Sequence, residues 1–192
     1  MKKISAVILA AGLSTRFGAQ DKLLHPYRGR PLLEWTLRTI TTAEIIDPVV
    51  VIGPHDEPKQ FLVSRYALRV VENPTPTLGM SSSLRLGVAQ LPAAIDGFLV
   101  CLGDMPDVTV GHLMQLADCF ENLESDAIVA PCFQGERGHP VLFGNHYRAD
   151  FAQLQGDEGA RQILRGAGSN VILREMPDNG VLRDIDTLND AN

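Results

Sequence analysis

Val7-Ile8-Leu9-Ala10-Ala11-Gly12-Leu13-Ser14-Thr15-Arg16-Phe17-Gly18-Ala19-Gln20-Asp21-Lys22 is an apolar run of strand length that breaks into a small-residue loop carrying one arginine and one lysine. Ala10, Ala11, Gly12 and Gly18 keep side chains small, so backbone N–H groups can face a ligand. Arg16 and Lys22 add two cations at the same place. Exposed amides with directed cations are what a triphosphate requires. Two commoner phosphate loops are excluded. A P-loop needs Gly-Lys-Ser/Thr, and here Gly18 is followed by Ala19-Gln20-Asp21; a dinucleotide fingerprint needs glycines two and five apart, and Gly12 and Gly18 are six apart. A plain strand-to-helix turn would account for the glycines, but not for the two cations beside the Ala-Ala-Gly break.

Outward from this loop, strand-like and helix-like stretches alternate. Strands are expected at 4–10, 48–53, 68–72, 97–102, 126–132, 139–144 and 170–175. Helices are expected at 31–43, 59–66, 81–91, 110–123, 145–155 and 157–166. Pro31 suits a first helical turn and a serine the start of the helix at 81. Continuous apolar strands between amphipathic helices imply an α/β fold, a mainly parallel sheet covered on both faces. Ligands of such sheets bind outside the carboxyl ends of the strands, which selects the loops after Ala10, Leu102 and Leu142.

Composition narrows the function classes. A chain of 192 residues with 45% hydrophobic content can bury a substantial core as one domain, 1–192. No apolar run approaches the ~20 residues of a membrane span, and the basic-then-apolar start Met1-Lys2-Lys3-Ile4 is better explained by a buried first strand than by a leader. A net charge of −6 argues against a general nucleic-acid binder. Cys101, Cys119 and Cys132 are widely spaced with no C-x-x-C, which suggests a reduced, cytoplasmic protein. Cys101 lies inside an apolar run and reads as a small core residue.

A second motif, Phe98-Leu99-Val100-Cys101-Leu102-Gly103-Asp104-Met105-Pro106, ends an apolar strand in Gly-Asp. Alone, Asp104 reads equally as a turn cap or a ligand. Beside the cationic loop on the same sheet edge it reads as a metal ligand, because Mg2+ takes one or two carboxylates plus substrate phosphates. In Arg183-Asp184-Ile185-Asp186-Thr187, alternation puts Asp184 and Asp186 on one face, where they form a second acidic site or a solvated segment. Thr77-Leu78-Gly79-Met80-Ser81-Ser82-Ser83-Leu84-Arg85 offers more serines than one helix cap needs; Arg85 fits either a phosphate contact or an exposed face. Gly135-Glu136-Arg137-Gly138-His139-Pro140 holds a histidine suited to proton transfer or to a hydrogen-bonded place at a strand start. Gly156-Asp157-Glu158-Gly159-Ala160-Arg161 reads as a helix start capped by Asp157. His25, His55, His112 and His146 lack metal-ligand spacing and read as structural or exposed.

On these residues the chain resembles the molybdenum cofactor cytidylyltransferase family of the MobA-like nucleotidyltransferase superfamily. The first loop is similar to its L-A-x-G-x-S-x-R-x-G-x-x-K signature, and four further motifs follow in family order. Ala11, where the guanylyltransferase branch has glycine, favours the cytidylyltransferase branch, as does Arg137-Gly138-His139-Pro140. Leu188 departs from the family's Asp-Ile-Asp-Thr-Pro. The resemblance implies a three-layer Rossmann-like fold and transfer of CMP from CTP to the terminal phosphate of molybdopterin cofactor, with release of pyrophosphate. It implies nucleotide contacts at Leu9, Ala10, Ala11, Gly12, Ser14, Arg16, Lys22, Ser82, Ser83 and Asp104, with Arg16, Lys22 and Asp104 catalytic. Asp104 and Asp186 would hold Mg2+, for which Mn2+ can substitute. Arg137, Gly138, His139, Pro140 and Asp157 would face the acceptor. The implied partners are the two substrates and a xanthine-dehydrogenase-type enzyme receiving the product, with no nucleic acid and no membrane. Three alternatives stand beside this one. A guanylyltransferase would keep the mechanism. A pyridine-nucleotide-dependent oxidoreductase of a small heteroaromatic would need a dinucleotide site, and no standard fingerprint is present. A non-catalytic cofactor carrier would not need the loop cations or Asp104.

Overall fold

The computed structural model describes residues 1–12, 17, 21–43, 45–187 and 190. The chain runs through β1 (Ile4–Ala10), the small hairpin β2 (Pro26–Tyr27) and β3 (Arg30–Pro31), α1 (Leu32–Thr42), β4 (Val49–Ile52), α2 (Glu57–Ser64), β5 (Arg69–Glu72) and α3 (Met80–Ala89). It continues through β6 (Gly97–Leu102), α4 (Val110–Phe120), β7 (Ile128–Phe133), β8 (Glu136–Arg137), β9 (Val141–Gly144), α5 (Arg148–Ala152), α6 (Arg161–Ala167) and β10 (Val171–Glu175). Among the described residues the main sheet has the order β10-β7-β9-β6-β1-β4-β5, with β8 paired to β7. β1 sits in the middle, parallel to both β4 and β6.

Strict alternation along the central strands builds two cores, one per sheet face. Ile4, Ala6, Ile8 and Ala10 of β1 join Val50, Ile52, Leu99 and Cys101 under α1, α2 and α4. Val7 joins Val49, Val51, Phe98 and Val100 under α3, α5 and α6. The three-layer expectation is therefore met by residues two apart pointing the same way. Burial pushes the Cys101 thiol up to about 12, as suits an inert core residue. The second core centres on rings: Phe143 lies 5.9 Å from Phe98, 5.0 Å from Phe151 and 6.3 Å from Tyr147, centroid to centroid.

Four sequence expectations change. β9 is antiparallel to β6, with Val100 opposite Val141 and Gly97 opposite Gly144. The end of β9 after Leu142 therefore lies at the opposite sheet edge from the ends of β1 and β6, and the residues before β9 lie at the ligand edge instead. The cause is a two-residue turn: Gln134 and Gly135 both have positive φ (51° and 82°) between β7 and β8, the geometry that favours hairpins. The helix expected at 145–155 is split into a short 3-10 turn, Asn145–Tyr147, and α5. The helix expected from 157 begins only at Arg161, with no side-chain cap. The serine cap expected for α3 is absent as well: its N-cap is Gly79, which makes no side-chain bond.

Phe143→Ala is expected to cost about 3–5 kcal/mol, the usual range for emptying a buried aromatic site. Chemical denaturation compared with wild type measures it; a loss under about 1 kcal/mol would mean the ring cluster does not hold this face together.

Candidate functional site

The ends of β1 and β6 meet because the two strands are parallel neighbours in register, Leu9 opposite Leu102. The chain past β6 is tied down at once: the Gly103 N–H donates to the Leu9 carbonyl at 3.0 Å. Asp104 follows and projects over the edge. Lys22 comes from the 3-10 turn Lys22–Leu24, where Asp21 caps by accepting from the Leu23 N–H at 2.9 Å. The Lys22 Nζ donates to Asp104 Oδ2 at 2.7 Å and to Asp186 Oδ1 at 3.0 Å.

Asp186 is delivered from the far end of the chain. Ile185 is buried, and its N–H donates to the Asp104 carbonyl at 3.0 Å. Alternation then leaves Asp184 and Asp186 on the other face. Burial, followed by the Asp186 and Asp104 charges, pushes the Asp184 carboxyl above its ordinary value. Burial alone would lower the Lys22 ammonium, but Asp104 and then Asp186 outweigh it and hold the group above its ordinary value. The three acids and one lysine thus form one electrostatic unit: the segment with Asp184 and Asp186 is drawn to Lys22 and Asp104, not left as a solvated tail. Asp107, just beyond, accepts from Arg28 at 2.7 Å and from Arg183 at 2.8 Å, clamping the β2–β3 hairpin and the C-terminal segment to the same loop.

Asp104 Oδ1 is buried and has no hydrogen-bond partner. A buried carboxylate oxygen left unpaired is costly, and a divalent cation would satisfy it. Among the described residues no group of three or more His, Cys, Asp or Glu side chains forms a ready cation cage; a cation carried on phosphates needs only one or two. The residues present fit such a cation at Asp104, with Asp186 beside it.

A cleft of about 630 Å³ opens above this unit, lined by Leu9, Ala11, Gly12, Ser83, Asp104 and Asp157, with Leu78 and Met80 at its mouth. Ala10 is buried directly before it. Ser14 and Arg16 lie outside the described residues. The far wall is built by α3 against the loop before α6. Gly79 has φ +91, and a Cβ there would meet the Gly156 carbonyl at 2.6 Å, so only glycine allows the approach. Across it, the Met80 N–H donates to Asp157 Oδ1 at 3.0 Å and the Ser81 N–H to the Gly156 carbonyl at 3.2 Å. Asp157 thus caps α3, not its own helix, because the α3 N-terminus presents bare amides where α6 has not yet begun. Arg85 takes neither expected role: its guanidinium donates to the Leu154 carbonyl at 2.6 Å. Ser82 and Ser83 both accept from the amide of Asn73, at 2.8 and 2.9 Å. Ser83 lines the cleft, while Ser82 is not among its lining residues and donates to the Gly79 carbonyl at 2.8 Å. Asn73 is fully buried and organises both serines; a lone asparagine after a strand gave no signal for this in the sequence.

The run 137–140 sits at the same edge, before β9. Gly138 donates to the Pro131 carbonyl at 2.8 Å and packs where a Cβ would overlap the Val181 backbone; the His139 N–H donates to the Val181 carbonyl at 2.8 Å. Pro140 is buried and Arg137 exposed. The His139 Nδ1 is buried without a partner. Burial holds the imidazole below its ordinary value, against the Asp104 charge and a Val100 backbone bond; Arg137 and Arg161 add to the lowering. Arg161, the last residue of the Gly156–Arg161 motif, therefore joins Arg137 near His139, whereas Asp157 stands in the cleft wall.

The sequence pattern of the MobA-like NTP transferase domain matches residues 6–172. The chain belongs to that family of nucleotidyltransferases. Relatives within and around it carry diverse names. "Purine catabolism protein PucB" of Bacillus subtilis is 31% identical over 94% of this chain and 90% of its own. "Nicotine blue oxidoreductase" of Paenarthrobacter nicotinovorans is 30% identical over 96% and 93%. "Molybdenum cofactor cytidylyltransferase" of Escherichia coli is 23% identical over 99% and 94%. Among solved structures, a nucleotidyl transferase from Methanothermobacter superposes with TM-score 0.83 at 26% identity, covering 98% of this chain and 94% of that one. Rv0371c of Mycobacterium tuberculosis, solved in complex with manganese, superposes with TM-score 0.74 at 24% identity, covering 91% and 88%. No helix among the described residues of this MobA-like chain is long and apolar enough to cross a membrane.

The depressed His139 has a pH consequence. Between its folded value and the ordinary 6.5 the unfolded chain binds the proton and the folded one does not. Stability therefore falls as pH drops through 6.5 and levels off below the folded value. His139→Gln is expected to remove this part of the slope between pH 7 and pH 5. Parallel pH-dependent melting curves for both proteins would contradict the burial of this group.

Proposed function

We propose that the chain transfers CMP from CTP to the terminal phosphate of a molybdopterin cofactor, releasing pyrophosphate. The observation that carries the reading is Asp104: one oxygen engaged by Lys22 and the other buried and unpaired, at the floor of a cleft lined by the Ala11–Gly12 break. The backbone past Ala10 would take the triphosphate, and Arg16 would join it there. Asp104 and Asp186 would hold Mg2+ or Mn2+, which would supply neutralisation of the phosphate charge; that a fold relative was solved in complex with manganese is in keeping with a divalent ion.

Lys22 is placed to leave its carboxylates for the α-phosphate as nucleotide charge arrives. An oxygen of the acceptor phosphate would bond to the α-phosphorus in line as the bond from that phosphorus to the α–β bridging oxygen breaks, and pyrophosphate would depart carrying the bridging oxygen and its charge. The acceptor phosphate is already ionised near pH 7, so the protein has only to position and neutralise. Arg137 and Arg161 flank the edge before β9 and would orient the acceptor, while His139, kept uncharged by burial, would contact it without taking a proton. Ser82 and Ser83, fixed by Asn73, would face the base. The purine-catabolism name of one relative is in keeping with delivery of the product to a xanthine-dehydrogenase-type enzyme.

The relative named nicotine blue oxidoreductase supports a second reading, reduction of a small heteroaromatic by a pyridine nucleotide in the same cleft. One experiment separates the two. Purified protein with molybdopterin cofactor and Mg2+ is given CTP, GTP or ATP, and pyrophosphate is measured; NADH and NADPH oxidation is followed with a heteroaromatic dye. Pyrophosphate with CTP alone is expected, and Asp104→Ala should lower the rate at least about 100-fold, the cost of losing one preorganised charge-stabilising group. GTP-driven release would reverse the base assignment. Nucleotide oxidation without pyrophosphate release would replace the first reading with the second.

A further inference from the structure

Lys59 stands among the large fully buried side chains of the described residues, 2% exposed, in company that is otherwise aromatic and aliphatic. Its place is doubly unfavourable. It lies in the first turn of α2, where the helix dipole repels a cation, and burial strips its water. Two carboxylates offset this. Asp56, the α2 N-cap, accepts from the Lys59 N–H through Oδ1 at 3.2 Å and from its Nζ through Oδ2 at 2.7 Å. The other carboxylate belongs to Asp21, whose Oδ2 lies 2.6 Å from the same Nζ.

Asp21 is not a local partner. It stands 38 residues earlier in the chain, directly before Lys22. Its carboxylate is divided: Oδ2 engages Lys59, and Oδ1 accepts the Leu23 N–H at 2.9 Å. Its carbonyl accepts from Leu24 at 3.2 Å and His25 at 3.1 Å. Among the described residues, the N–H groups of Leu23, Leu24 and His25 in the turn carrying Lys22 thus all donate to Asp21, the last shared with the Lys22 carbonyl at 3.2 Å, and Asp21 is moored to α2 by Lys59.

We propose that Lys59 is a positioning residue: through Asp21 it fixes the turn that aims Lys22 at Asp104 and Asp186. What the mooring serves rests on the nucleotide reading of that site; that the mooring exists does not. A lysine serving α2 alone would need only Asp56, its own cap, and the second carboxylate from across the chain would have no purpose.

Two measurements test this. The first is amide hydrogen exchange, well below the melting temperature of each variant. Lys59→Met should speed exchange at Leu23, Leu24 and His25 by at least about tenfold, a local opening, while β4 and α4 keep wild-type protection. Asp56→Asn, which keeps an α2 cap and removes the local ion pair but leaves Lys59 on Asp21, should leave these three amides protected. Wild-type protection at 23–25 in Lys59→Met, or the same change in Asp56→Asn, overturns the proposal. Should Lys59→Met not fold, Asp21→Asn is read by the same criterion, since its amide oxygen still accepts from Leu23 while the ion pair is lost.

The second measurement is calorimetric binding of CTP with Mg2+ in a double-mutant cycle. Lys59→Met should weaken binding about tenfold, the scale of a misplaced contact, and should weaken it no further in a Lys22→Ala background. Additive losses would show that Lys59 does not act through Lys22. If wild type binds neither CTP, GTP nor ATP, the nucleotide reading fails, and the exchange result alone decides whether Lys59 moors the turn.

Discussion

Everything at this edge of the sheet depends on one lysine shared by two carboxylates. Asp104 arrives from β6 and Asp186 from the C-terminal segment, and Asp184 adds a third negative group nearby. Without a cation between them the acids repel one another in a half-buried place, where charges are weakly screened. Lys22 sits between them at 2.7 and 3.0 Å and holds the edge closed. The same arrangement is suited to exchange. On the proposed function, a triphosphate and its cation would bring both signs of charge, so the carboxylates would take the cation while Lys22 turned to phosphate. The resting ion pair and the proposed working site would then be two uses of the same groups.

The surrounding fold serves to keep these groups apart by a few ångström and no more. Parallel pairing of β1 and β6 sets the distance between the first loop and Asp104. Ile185, packed in the core and bonded to the Asp104 carbonyl, fixes Asp186. Asp107 ties Arg28 and Arg183, so the hairpin and the C-terminal segment move with the loop that carries Asp104. On the far wall, Gly79 allows α3 and the Gly156–Asp157 loop to touch, which closes the cleft on that side. The α/β scaffold supplies strand ends, and polar bonds between loops do the aiming.

Much of this was legible in the sequence, for a physical reason. Buried parallel strands are nearly continuous apolar runs, so 4–10 and 97–102 were bounded without error, and the residues just beyond them had to lie at one edge. Lys22 and Asp104 could be grouped on that ground, whereas Asp186 was brought to them only by the family resemblance. What escaped were contacts between segments far apart in sequence. Asp157 follows a glycine and precedes a helix, so it read as a local cap; it caps α3 instead, across 77 residues. The direction of β9 was missed although the signal was present. Only six residues separate the strands expected at 126–132 and 139–144, too few for the dozen or more that a parallel crossover needs. Asn73 and Lys59 gave no signal, because one buried amide or lysine follows no periodicity. The family pattern reaches across both kinds of residue, but its relatives carry names as different as cytidylyltransferase and oxidoreductase. Proteins that share the fold therefore carry different activities in their names.

The most direct test of the shared-lysine arrangement is anomalous scattering at the manganese edge from crystals grown with CTP and Mn2+. The arrangement predicts a manganese peak within bonding distance of the now unpaired Asp104 oxygen, with the Lys22 Nζ displaced from Asp104 onto a phosphate. Nucleotide in the cleft with Lys22 still bridging Asp104 and Asp186, and no manganese beside Asp104, would contradict it.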